Sequence, residues 1–326
     1  MKNYFLSALF VFFLLAFLPL SALLINKASE EDKTILSYTV SDKDNNEKEQ
    51  TVRVLQVSSG NVLSMNITEY LIGAVASEMP ASFSNEALKA QAVACYTYLK
   101  WIMANADNAP NEFSDISDDS TAHQGFLTKE QMKERWGSKF DTYYNKIKLA
   151  VQSVEKEYIS YENEPVLALF HGLSAGYTAD SKDILEQSLP YIVSVEAPGD
   201  KLSSDFISEN SFSQEEFTAI ITKHGISTEK NSKQKIKITS ASDTGYVTEV
   251  RIGDKTLSGT DIRSIFSLKS TNFTVESDGS EIKFTVYGKG HGLGMSQNSA
   301  DFMARQGYGY KEILAHFYPG TKITSE

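Results

Sequence analysis

The longest apolar pattern in the chain is Tyr4–Ile25, YFLSALFVFFLLAFLPLSALLI, 22 residues without a charge. As a helix rising about 1.5 Å per residue it would reach ~33 Å, enough to cross the ~30 Å hydrocarbon core of a bilayer. A cleavable signal peptide is the rival reading. Against it stand an n-region with Lys2 alone, an apolar core longer than the usual ~7–15 residues, and no clear Ala-x-Ala site before Asn26. The pattern is read as a transmembrane anchor over residues 1–25 and a polar, charge-rich stalk over 26–50. Either reading of the apolar run places residues 26–326 across the membrane.

Beyond the stalk, Val52, Val54 and Val57 alternate with polar residues, and a turn signal at Ser58–Asn61 then Val62–Leu63 predicts a hairpin. Thr68 could cap a short helix carrying Leu71, Ile72 and Val75, which must stop near Glu78 because Pro80 follows. A stronger helix over Asn85–Ala106 follows Ser84, with Leu88, Ala92, Tyr96, Leu99 and Met103 at three-to-four spacing. Next come a polar loop, NAPNEFSDISDDSTAHQG, and an amphipathic stretch around Lys129–Glu157. Strands are predicted at Tyr158–Tyr161 and Val166–Phe170, with a hairpin around Gly253-Asp254. The tail carries a glycine-dense loop and helices over Ser296–Gln306 and Lys311–Phe317. Helix and strand alternate irregularly, so the expected fold is mixed α+β without a parallel-sheet signature.

Composition narrows the function. A chain of 326 residues with 31 basic and 42 acidic residues carries −11. Lys2 is the only charge within residues 1–25, which leaves 30 basic against 42 acidic residues, or −12, beyond it. An exterior of that sign argues against a general nucleic-acid binder. Cys95 is the only cysteine, so neither an intramolecular disulfide nor a cysteine cluster for zinc can form.

Three constellations could carry chemistry. Glu78 lies in Ala76-Ser77-Glu78-Met79-Pro80 at a helix C-terminus, where the negative end of the macrodipole and apolar neighbours raise a carboxyl pKa, as a general acid requires. The same residue also reads as an ordinary solvated glutamate. Gly172-Leu173-Ser174-Ala175-Gly176 is a formal GxSxG after an apolar run, and Asp254 or Asp261 with His291 would complete a hydrolase order. A tight turn of small residues is the alternative. In Gly288–Gln297, GKGHGLGMSQ, alternate glycines permit positive φ and close approach to a ligand beside His291; a structural loop around a core histidine explains it equally. The five histidines show no HExxH or His-x-His spacing, so no metal site and no cofactor are expected.

Three segments together resemble the stage II sporulation protein D family of peptidoglycan lytic transglycosylases: Tyr70–Tyr98, Ser174–Val195 and Gly288–Ile323. The block Leu257–Arg263 is similar as well, so the resemblance spans roughly residues 50–323. It implies helices packed on mixed sheets around a glycan-binding groove, with Glu78 as the lone catalytic acid/base. It implies that Tyr96, Ser174, Tyr177, Tyr191, His291 and Gln297 line the glycan. The substrate implied is a glycan strand of N-acetylmuramic acid and N-acetylglucosamine stripped of stem peptides, cleaved to a 1,6-anhydro product during spore engulfment. The partner implied is an amidase resembling stage II sporulation protein P, met in the mother-cell membrane facing the intermembrane space.

The sequence departs from the family pattern at Tyr96, where the block commonly carries arginine, and at Val193, where a basic residue is frequent. Some members carry a Cys/His metal pair where this chain has Ser120-Thr121-Ala122-His123-Gln124 without cysteine, so no zinc of that kind is expected. Two other functions compete: a glycan-binding or amidase-enhancing module without chemistry, and a serine esterase using Ser174.

Overall fold

The computed structural model describes residues 50–185, 187–226 and 236–326. The expected anchor, and all of the stalk except Gln50, lie outside the described residues. Among the described residues no helix is long and apolar enough to cross a membrane. The fold is mixed α+β, with several small sheets instead of one large one. It divides into two compact units. The first comprises residues through Ser82 together with Cys95–Lys156, and the second Phe83–Ala94 with Glu157–Glu326.

In the first unit, β1 (Thr51–Gln56) and β2 (Asn61–Asn66) form the expected antiparallel hairpin, Val54 opposite Leu63. Val52 and Val54 are fully buried and Arg53 exposed, so the alternation follows the pleat. Helix α1 (Ile67–Glu78) is capped by Asn66, not Thr68: the Asn66 side chain accepts the Glu69 amide at 2.7 Å, while the Thr68 hydroxyl reaches Glu155. Every residue from Tyr70 to Ala76 is buried, which makes α1 the centre of the unit. The helix stops where expected, Met79 turning to extended backbone ahead of Pro80. Helix α2 (Asn85–Ala104) ends two residues earlier than its periodicity suggests. Its residues to Ala94 belong to the second unit and those from Cys95 to the first.

The polar loop that follows hides a strand, β3 (Ile116–Ser117), parallel to β1. The amphipathic stretch is two helices, α3 (Lys129–Trp136) and α4 (Phe140–Gln152), broken at Gly137 with φ 51°. Thr128 and Gln131 close a capping box on α3. Ile147, Ala150 and Val151 of α4 are buried, and α4 packs against α1.

The second unit opens with the hairpin β4 (Glu157–Tyr161) and β5 (Glu164–Pro165), whose turn residues Glu162 and Asn163 both have positive φ. The expected strand over Val166–Phe170 is not one. Val166–Ala168 are buried in irregular backbone, and only β6 (Phe170–His171) is extended and paired. An apolar run marks burial without fixing backbone. After α5 (Ser181–Ile184), β7 (Ile207–Ser213) and α6 (Gln214–Lys223) come β8 (Ile236–Ala241), β9 (Val247–Ile252) and β10 (Lys255–Ser258), the last two forming the expected hairpin. Helix α7 (Gly259–Ile265), β11 (Phe273–Ser277) and β12 (Glu281–Tyr287) complete this part. Phe217, Phe266 and Phe284 form the centre of its core, with rings 5.1 Å apart along the chain of contacts. Each such buried ring contributes ~1.5–3 kcal/mol through removal from water. The tail is β13 (Met295–Ser296), parallel to β6, then α8 (Gln297–Arg305), α9 (Tyr310–Phe317) and β14 (Lys322–Ser325), antiparallel to β4.

Candidate functional site

Glu78 is the last residue of α1 and is half-buried. Its Oε1 accepts the Gly125 amide at 2.5 Å, a bond that spans 47 positions of sequence. Among the described residues no cation pairs with it. Burial raises its pKa, and the Gly125 amide opposes the rise without cancelling it. Since the amide occupies Oε1, the proton of the acid form belongs on Oε2.

The chain brings that amide to Glu78 through His123–Phe126, a strap held by its side chains. His123 contacts the Ser117 hydroxyl at 2.7 Å and the Asn108 carbonyl at 3.1 Å. The buried Gln124 donates to the Tyr70 hydroxyl at 2.6 Å and to the Cys95 carbonyl at 3.2 Å. Phe126 stacks on Tyr70, centroids 5.8 Å apart. Gly125 itself has no room for more: a Cβ there would strike the Ser77 hydroxyl and sit 3.1 Å from Glu78 Oε1. Burial and the Glu78 charge both raise the Tyr98 hydroxyl pKa.

The three acids that most closely precede Gly125 in sequence are committed elsewhere. Asp115 pairs with Arg53, Asp118 accepts the Val57 amide, and Asp119 accepts from Thr121. Glu86 belongs to the second unit, where it pairs with Lys89 and accepts the Tyr310 amide. Tyr96 is buried at 4% exposure beneath the Lys100 ammonium, 5.5 Å from its ring centre. It therefore fills the core of the first unit and offers a ligand almost no surface.

In the second unit Ser174 is held by an acid that the motifs do not reveal. Asp200 is fully buried and accepts four hydrogen bonds: from the Ser174 amide, the Ser296 and Ser299 hydroxyls and the Asn298 side chain, at 2.7 to 3.0 Å. It ties the Gly172–Gly176 turn to the first turn of α8. Ser174 is buried, and its hydroxyl accepts the Gly176 amide at 3.2 Å. Asp261 is spent capping α7 with Ser258, and His291 Nδ1 accepts the Leu293 amide. The Ser–Asp–His order is thus not assembled. A fluorophosphonate probe is expected to leave Ser174 unlabelled, read by peptide mass spectrometry.

The glycine loop has the backbone its sequence implied, with Gly288, Gly290, Gly292 and Gly294 all at positive φ. Leu293 is clamped at both ends: its amide donates to His291, and its carbonyl accepts from His171 Nδ1 at 3.1 Å. The two imidazole rings lie 5.8 Å apart. Burial drives His171 down to about 4 and His291 to about 3, the latter with help from His171 and Arg263. Unfolded, each would titrate near 6.5. The unfolded chain therefore binds more protons below that pH, and stability falls as pH drops from ~6.5 towards 4. His171 alone is expected to remove on the order of 2 kcal/mol by pH 5. A thermal melt of His171→Gln at pH 7 and pH 5 checks this, since the variant loses that share of the pH dependence.

Gln297 is buried and donates to Gln91 at 3.2 Å. Tyr191 is buried too, its hydroxyl accepting the Leu167 amide at 3.1 Å, so it serves the core and not an open surface. Tyr177 is exposed. A cavity of about 330 Å³ at the β4–β5 turn, lined by Ser160, Tyr161, Glu162, Asn163, Gly320 and Lys322, contains none of these residues. Among the described residues no three His, Cys, Asp or Glu side chains are grouped to hold a metal ion.

Fold and site define an α+β protein with a carboxyl raised by burial, set at a helix end against a main-chain amide. The family model described as Stage II sporulation protein matches residues 56–161, which include both Glu78 and Gly125. Stage II sporulation protein D of Bacillus subtilis is 35% identical over 274 residues, covering 84% of this chain and 79% of its own. That of Bacillus amyloliquefaciens is 36% identical over 275 residues, covering 84% and 78%. The chain belongs to the stage II sporulation protein D family. The amidase enhancer of Bacillus subtilis is 27% identical over 307 residues, covering 78% of this chain and 40% of its own.

Proposed function

We propose that the chain is a lytic transglycosylase acting on peptide-free peptidoglycan strands, with Glu78 as its single acid/base. The observation that carries this reading is the isolation of Glu78: a half-buried carboxyl, raised by burial, whose only hydrogen bond among the described residues is to the Gly125 amide. Retaining and inverting hydrolases each need a second carboxylate, ~5–5.5 Å or ~6.5–9.5 Å away. Among the described residues no other acid bears on the Glu78 carboxyl.

One acid suffices if the substrate supplies its own nucleophile. Glu78 gives its Oε2 proton to the glycosidic oxygen as the bond to muramic C1 breaks. The carboxylate then takes the proton of the muramic 6-hydroxyl as O6 bonds to C1. The product is a 1,6-anhydro sugar, no water is consumed, and Glu78 ends protonated as it began. Tyr177 and His291 are assigned to glycan contact. An anchor at Tyr4–Ile25 would hold the enzyme on the outer face of the membrane, acting on strands cleared by an amidase of the sporulation machinery.

Mass spectrometry of digested peptide-free glycan tests the proposal: anhydro ends support it, and hydrated ends or unchanged strands overturn it. The likeness to an amidase enhancer favours a second reading, a glycan-binding module that stimulates an amidase. Unchanged strands together with faster stem-peptide release by an added amidase would select it.

A further inference from the structure

We infer that the α3–α4 face of the first unit is an extended binding surface for the anionic glycan strand, beyond the sugars held at Glu78. This rests on the transglycosylase reading for the identity of the strand. Residues 129–148 hold six basic and three acidic residues, a net +3 on a chain of −11. The charges are sorted by face. Lys129, Lys133 and Trp136 stand at i, i+4 and i+7 and share one side of α3, while Glu130 and Glu134 are turned about 100° away.

The lysines do not project into water alone. Lys129 lies 5.1 Å from the ring centre of Tyr144, and Lys133 lies 5.6 Å from that of Phe140. Phe140 and Tyr144 are themselves stacked at 5.3 Å. Tyr143 meets Trp136 edge-on at 5.7 Å, with Lys139 5.9 Å from its ring centre. Both lysines of α3 are exposed and the four rings are half-buried. The surface is therefore a strip of aromatic faces with ammonium groups over them.

Such a strip suits a polymer that alternates apolar sugar faces with carboxylates. A strand freed of stem peptides has that character, since each muramic residue then bears a free lactyl carboxylate. Position supports the match. Arg135 of α3 donates to the Ala76 carbonyl at 3.0 Å, in the last turn of α1, two residues before Glu78. α4 packs along the same helix. A strand engaged at the end of α1 would find this strip beside it. An anionic bilayer is the other polyanion to weigh. It would favour large apolar tips standing clear of the surface, whereas here cations lie over half-buried rings.

The test uses the full-length chain in detergent with Glu78→Gln as background, so that strands are bound and not cut. Lys129→Glu/Lys133→Glu, and separately Lys129→Gln/Lys133→Gln, are compared by co-sedimentation with long peptide-free strands at about 50 and 200 mM salt. The charge reversal is expected to weaken strand binding about tenfold at low salt, with a smaller loss at high salt as the charges are screened. The glutamine pair should fall between. Binding of uncharged N-acetylglucosamine oligomers should change less than twofold. Equal affinity of all three proteins for strands would overturn the inference. So would intact strand binding with lost binding to vesicles containing one-third phosphatidylglycerol, which would assign the face to lipid. Because binding is read without turnover, failure of the transglycosylase chemistry leaves this result standing.

Discussion

Glu78→Gln is expected to lower anhydro-product release about 10³-fold, within the 10²–10⁴ that a positioned general acid supplies, and at the same time to raise the thermal midpoint at pH 7. The two effects have one cause. Burial lifts the Glu78 pKa above its unfolded value, so the folded chain binds the proton more tightly than the unfolded chain does. Between the two pKa values the native state holds more protons, and stability falls as pH rises through that window. The loss grows as pH rises towards the folded pKa, and below the unfolded pKa it is absent. Glutamine keeps an oxygen for the Gly125 amide and carries no charge. A higher thermal midpoint is therefore expected at pH 7, and little change at pH 4. Activity of the unaltered chain should fall on the alkaline side as Glu78 loses its proton, at a higher pH than an ordinary glutamate would dictate. Differential scanning calorimetry at both pH values and a pH profile of kcat/KM check the pair. A variant that is inactive and also less stable at pH 7 would contradict this origin of the raised pKa.

The second large effect is structural. Asp200→Ala is expected to destabilise the second unit by about 3–5 kcal/mol, because four donors lose a buried carboxylate acceptor together. Asp200→Asn keeps the shape, but its amide turns two donor hydrogens towards groups that also donate, so it should recover only part of that loss. Urea denaturation followed by tyrosine fluorescence measures both. A change below about 1 kcal/mol for alanine would mean that the Ser174 turn and α8 hold together without this acid.

Local features were legible where a short stretch decides the backbone. The β1–β2 hairpin followed from alternating valines and Gly60, the stop of α1 from Pro80, and the positive φ values at 288–294 from the glycines themselves. Glu78 could be singled out because its setting at a helix end is a sequence-local property. Its partner could not. Gly125 is one glycine in a polar loop, and only the packing of Gln124 and Phe126 onto Tyr70 brings its amide to α1. Asp200 escaped notice for the same reason, since its donors lie 26 to 99 positions away. The resemblance implied that Tyr96 and Tyr191 line the glycan; both side chains are buried, and residue type does not say which way a ring faces.

The bond from Gly125 to Glu78 also has a consequence for how this site can vary. Its donor is main chain, so every residue except proline brings the same N–H. Short of proline, mutation at position 125 therefore cannot delete the contact; it can only crowd it, since any Cβ meets Ser77 and Glu78. In a saturation scan, position 125 should rank by side-chain bulk and position 78 by chemistry. Two residues joined by one hydrogen bond would then carry unrelated substitution profiles, and a statistical search for covarying pairs would pass them by.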